Sequence, residues 1–194
     1  MANDNDAILR KVPTWLCSGE FDEDMLGSFI EFYNDVIGGN YKNAIIYIDS
    51  VGGDISVVNS MLSLMELTPI TFHTVAIGSA LSCGLFLLVG GDVRYATERA
   101  QLMHHATSLD TYGDLKTLKE EINRHLILSN KMIEKFAAKT KKDAEWWDDQ
   151  PAKSDSKEFW MDAKKAKTLG VIDHIGIPIE TQKIVTEVNV LNDN

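Results

Sequence analysis

Apolar residues recur along this chain with changing period, and the changes mark its elements. Met25, Leu26, Phe29, Ile30, Tyr33, Val36 and Ile37 follow the acids Asp22 to Asp24 and precede Gly38-Gly39. That spacing predicts an amphipathic helix with an acidic start and a glycine stop. Ala44 to Asp49 is a short, nearly unbroken run of β-formers, as expected of a parallel strand covered on both faces. Ser50 to Asp54 reads as a turn into a second helix, with Ile55, Val58, Met61, Leu62 and Met65 on one face and Pro69 at its end. Ile70 to Ile77 reads as a strand, Gly78 to Ser82 as a turn of small residues, and Leu85 to Val89 as part of a buried helix. Short strands are expected at Thr14–Cys17, near Val93–Ala96, at Gln101–His104 and at Val171–His174, with a helix over Phe159–Leu169 capped by Gly170. The tail from Gly176 is β-prone at Lys183 to Leu191. Alternating strands and helices point to an α/β fold with crossover units and a mainly parallel sheet.

One helix stands apart. From Asp114 to Ala138, Leu115, Leu118, Ile122, Leu126, Met132, Ile133 and Phe136 form a stripe opposite Lys116, Lys119, Glu120, Glu121 and Lys131. At 1.5 Å per residue the stripe runs for roughly 37 Å, more than a globular domain of this size encloses. A projecting helix with an apolar stripe needs a partner, so it is expected to mediate oligomerisation. The alternative is that it packs wholly within its own domain.

The 194 residues are 44% hydrophobic and 25% charged, which suits one α/β domain over 1–194 with a real core. Residues 1–12 are polar and are expected to be mobile. Cys17 and Cys83 have no ligand spacing and read as free thiols in a reducing compartment. No stretch is long and apolar enough to span a bilayer, and the acidic start is unlike a signal peptide. The net charge of −10 argues against nucleic acid or an anionic membrane as a partner. A cytoplasmic protein is the expectation.

The chemistry concentrates at Gly78 to Leu88. A strand, small residues and then a buried helix can hold the Ser82 hydroxyl at a helix N-terminus, where free N–H groups favour negative charge. Small residues at such a junction also serve packing or capping alone. Gly52-Gly53 can turn backbone N–H groups toward a ligand oxygen or can form a plain tight turn; no Lys-Ser/Thr follows, so it is no phosphate loop. His104 and His105 point to opposite faces of a strand, so only one can reach Ser82. Without Cys or carboxylate at ligand spacing they make a poor metal site, and no metal or cofactor is expected. A neutral imidazole is the natural base for a serine near pH 7. The set suggests acyl transfer, with N–H groups of Gly53 and Cys83 binding the oxyanion.

In order, Ile46 to Gly53, Gly78 to Leu88, Leu102 to His105 and Ala166 to Asp173 resemble four motifs of the proteolytic subunit of the Clp protease (ClpP). The likeness covers Trp15 to Ile175. It implies the spiral of ββα units shared with the crotonases, with a projecting handle helix. It further implies a serine endopeptidase cutting peptides and unfolded proteins inside two stacked seven-membered rings of itself, served by a Clp-type AAA+ ATPase. By the same resemblance Ser82 is the nucleophile, His105 rather than His104 the base, and Gly53 and Cys83 the oxyanion donors.

Three departures qualify the likeness. Val51 replaces the family's turn proline. Few residues precede the first strand, which bears on ATPase docking and resembles short bacteriophage and inactive plastid versions. The triad aspartate falls on Lys157 counting back from Phe159, and near Ser154 and Asp155 counting forward from His105. Asp155 is the expected orienter. If the acid is lost, the alternative is an impaired structural or regulatory ring subunit assembling with an active paralogue. An acyl-CoA enzyme of the crotonase type would need no serine at Ser82.

Overall fold

The computed structural model describes residues 12–108 and 112–179. The expectations for the first eleven residues and for the Lys183–Leu191 strand lie outside them. The order is β1 (Thr14–Phe21), α1 (Glu23–Gly38), β2 (Asn43–Gly53), α2 (Ile55–Glu66), β3 (Thr71–Leu81), α3 (Cys83–Gly90), β4 (Val93–Ala96) and β5 (Gln101–His105). Then come α4 (Leu115–Thr140), α5 (Ala144–Ala152), β6 (Glu158–Asp162), α6 (Ala163–Thr168) and β7 (His174–Ile175). This is a mixed α/β fold built on a parallel sheet, as the alternation of elements predicts.

Strands β1-β2-β3-β4-β7 lie side by side and parallel. The sheet forks at β3. Its first half, His73–Ala76, pairs with β4, while Ser79–Leu81 pairs with β5, which pairs antiparallel with β6. Each of the first two helices starts on a carboxylate. Asp22 accepts from the Met25 N–H and Asp54 from the Ser56 N–H, which satisfies orphan donors of the first turn.

Several elements depart from the sequence reading, among them the strand expected at Val171–His174, which is confined to His174–Ile175. Gly78 to Leu81 is strand, not turn, because β2 and β5 supply hydrogen-bonding partners to a segment whose residues only look like a loop. Gly52 and Gly53 likewise extend β2 and pair with Glu20 and Phe21. Phe159 to Asp162 is strand rather than helix. Only Ala163–Thr168 is helical, starting where the Asp162 carboxylate accepts from the Lys165 N–H. The polar stretch before it holds an unforeseen helix, α5, which buries Trp147 completely.

Helix α4 is anchored by one end. Met132, Ile133, Phe136, Ala137 and Thr140 are buried, whereas Leu115, Leu126 and Ile127 are 87%, 53% and 58% exposed. Phe136 meets Trp147 edge to face at 4.5 Å, and the Trp147 indole N–H donates to the Thr140 hydroxyl at 2.8 Å. This knot fixes the base of α4 against α5. Truncating Trp147 to Ala removes a fully buried ring, so we expect a loss of roughly 3–5 kcal/mol in unfolding free energy, read from the urea midpoint.

Candidate functional site

The site grows from the C-terminal end of β3. Ser82 is the single residue between strand and α3, and its φ of 52° and ψ of −117° lie where side-chain-bearing residues are strained. Its N–H donates to the Met103 carbonyl at 2.9 Å, continuing the β3–β5 ladder by one bond. Its carbonyl accepts from Leu85 and Phe86, opening α3. Gly52 lies against it so closely that a Cβ there would stand 2.7 Å from the Ser82 Cβ. Gly53, at φ 145°, lies against Phe21 in the same manner.

Because Leu81 is in register with Met103 on a parallel neighbour, His105 arrives beside Ser82. The His105 Nε2 lies 2.8 Å from the Ser82 Oγ, and Nδ1 donates to the Ala106 carbonyl at 2.7 Å. With Nδ1 as donor, Nε2 is left to accept the serine proton. The Cys83 N–H belongs to the first turn of α3, where helix geometry provides no intrahelical partner. Its thiol is buried, donates to the Gly53 carbonyl at 3.1 Å, and is pushed up to about 11 by burial, so it stays protonated. The contact ties α3 to the end of β2. The structure thus gathers Ser82, His105, Gly53 and Cys83 around one cleft of about 360 Å³, with Ile55 and Phe86 as apolar lining and Thr107, Ser108 and His125 as polar lining.

Asp155 is not gathered with them. It is exposed, in the loop between α5 and β6, and no hydrogen bond joins it to His105. Lys157, the other position reached by counting, has the left-handed φ of 56° and is also exposed. Counting along the sequence passed over Glu158. It stands directly across the β5–β6 pair from His105, while Ser154 brackets it by bonding both its N–H and its carbonyl. Opposed residues of an antiparallel pair share a face with Cβ atoms about 4.5–5.5 Å apart. Reading Phe159 to Leu169 as helix hid this register; the Phe-Trp-Met run was the signal that could have shown it.

His104 points the other way, among Phe86, Phe136 and Trp147, and is 3% exposed with Nε2 unpartnered. Burial, assisted by the neighbouring His105, lowers it from 6.5 to about 4. Among the described residues no group of three or more potential ligands could hold a metal ion, and no helix is long and apolar enough to cross a membrane.

A family model described as Clp protease matches residues 38–178. The ATP-dependent Clp protease proteolytic subunit 2 of Corynebacterium diphtheriae is 29% identical over 132 residues, 67% of this chain and 64% of that protein. Subunit 2 of Bacillus licheniformis is 31% identical over 139 residues, 70% of each chain. Subunit 1 of Corynebacterium jeikeium is 29% identical over 67% of this chain and 68% of its own. The chain therefore spans just under two thirds of the Corynebacterium diphtheriae relative.

His104 has a measurable consequence. A folded-state pKa below the unfolded one means that the unfolded chain binds the proton first. Stability is full above about pH 6.5 and falls as pH drops toward 4, by roughly 3 kcal/mol at the lower end. In His104→Leu, the unfolding free energy measured between pH 6.5 and 4 should fall less steeply than in the parent by about this amount.

Proposed function

The chain belongs to the Clp protease family, and from that premise we propose that it is a serine endopeptidase cleaving peptides and unfolded polypeptides. The observation that carries this reading is the 2.8 Å contact between the Ser82 Oγ and the His105 Nε2. As Oγ attacks the scissile carbonyl carbon, its proton passes to Nε2 and the carbonyl oxygen becomes an anion. The N–H groups of Gly53 and Cys83 receive that anion, where fixed donors stabilise developing charge better than reorganising water does. The imidazolium then protonates the leaving amine, the C–N bond breaks, and water repeats the sequence on the acyl-enzyme. No metal or cofactor enters these steps.

His105 needs an orienter on Nδ1. The Ala106 carbonyl fixes the tautomer but, being neutral, does little for the imidazolium. Glu158, and not Asp155, is the carboxylate that β-sheet register places across from His105.

The exposed stripe of α4 supports assembly of this chain with itself. Leu115, Ile122, Leu126 and Ile127 repeat at helical spacing on a stretch its own domain leaves uncovered. Two stacked rings joined through this helix would shut the serines inside a chamber, and partnership with an AAA+ ATPase would deliver unfolded chains to them. Sedimentation should then give a particle many times 21.6 kDa, and Leu126→Glu with Ile127→Glu should shift it to smaller species.

The decisive experiment uses a fluorophosphonate probe. Covalent labelling on Ser82, absent in Ser82→Ala and reduced at least 10³-fold in His105→Ala, is the expected result. A folded, assembled protein that takes no label would leave a structural ring subunit instead.

A further inference from the structure

Two N–H donors, the Trp160 indole and the His105 imidazole, share the sheet face of Glu158, and its carboxylate bonds the one that does no chemistry. Its Oε2 accepts from the Trp160 indole Nε1 at 2.9 Å. Trp160 lies two residues along β6, so both side chains share the strand face that His105 occupies across the ladder. On β5, the His105 Nδ1–H is meanwhile given to the Ala106 carbonyl at 2.7 Å. Each group is satisfied, but by the partner that contributes least to the reaction.

We propose that Trp160 is the resting partner of the Glu158 carboxylate, so that exchange between its indole N–H and the His105 Nδ1–H switches the site between an idle and a charge-supported arrangement. This rests on the Ser82–His105 peptidase reading. In the idle arrangement the carboxylate accepts from the indole and Nδ1 from the carbonyl. In the other, the carboxylate leaves the indole and accepts from Nδ1, and the Ala106 carbonyl is released. No bond is made or broken in the exchange, and both ring nitrogens keep their roles. What changes is the charge facing the imidazole when Nε2 takes the serine proton: a carboxylate offsets the imidazolium where a carbonyl only accepts a hydrogen bond.

Two features make the exchange inexpensive. The indole is 43% exposed, so water can take the N–H that the carboxylate gives up. The Glu158 backbone does not need to move, because Ser154 holds both its N–H and its carbonyl. Only side-chain rotation is required. Glutamate is suited to it, since its extra methylene lets one backbone position serve both donors. The other titratable groups at the cleft, Asp54 and His125, come from the β2–α2 junction and α4; His104 lies on the opposite face of β5, and Lys165 of α6 donates to the Trp160 carbonyl.

The test compares the full-length parent with Glu158→Gln, Glu158→Asp and Trp160→Phe, by fluorophosphonate labelling rate and by turnover of a short fluorogenic peptide across pH. Glu158→Gln should lower kcat by 10²- to 10⁴-fold at nearly unchanged KM and move the acid limb of the kcat/KM profile to lower pH. Glu158→Asp should recover at least tenfold of that loss. Trp160→Phe, which removes the competing donor, should raise the labelling rate roughly three- to tenfold. A parent that is not labelled at all defeats the peptidase reading itself. A labelled parent with Glu158→Gln equal to it in rate and pH profile leaves that reading standing and removes Glu158 from the site. A slow Glu158→Gln with Trp160→Phe no faster than the parent removes the switch.

Discussion

The site depends on a strained residue being held where it is. Ser82 sits at positive φ, a conformation costing a residue with a Cβ about 1–3 kcal/mol. Three elements impose it together. β5 takes its N–H, α3 takes its carbonyl, and β2 presents a glycine where any side chain would collide with it. Each of these elements is buried in the core on its own account. Apolar burial elsewhere thus maintains the conformation at Ser82, as expected where strain is concentrated at a functional point rather than spread through the fold.

The fork in the sheet follows from the same constraint. β3 is long enough to serve two neighbours, β4 on its first half and β5 on its second. The second pairing sets the distance between the Ser82 hydroxyl and the His105 imidazole, since Leu81 opposite Met103 puts the two side chains within hydrogen-bonding range. The antiparallel strand β6 then sets Glu158 opposite His105 by register alone. Ser82, His105 and Glu158 are far apart in the chain, yet two strand pairings fix all three.

This explains why some parts were readable in advance and others were not. The first two helices announce themselves by spacing, by Asp22 and Asp54 as caps, and by glycine or proline beyond their ends. Ser82 and His105 sit in short motifs whose order was enough to link them to a family. Gly78 to Leu81 misleads because small residues have weak β preference, and their strand conformation is imposed by partners on both sides. Glu158 misleads more deeply. Counting residues from His105 treats the intervening chain as a ruler, but α5 and its loop separate distance along the sequence from distance in space. Only register reports what faces what, and register is a tertiary property.

The long helix connects these arguments to assembly. α4 is fixed at its C-terminal third by Phe136, Trp147 and Thr140, while its N-terminal stretch leaves Leu115 and Ile122 in water. Yet that less anchored stretch touches the site. His125 lines the cleft, and the Ser129 hydroxyl bonds Thr107 at 2.6 Å, two residues beyond His105. A helix held at one end bends most easily at the other, and the Ser129–Thr107 bond ties that looser stretch to the segment after His105. A partner covering the apolar stripe would stiffen α4 and, through the Ser129–Thr107 bond, restrain the segment carrying the Ala106 carbonyl that accepts from the His105 Nδ1. On the assembly proposed above, the imidazole would then feel the partner through the backbone beside it, without contact to Ser82.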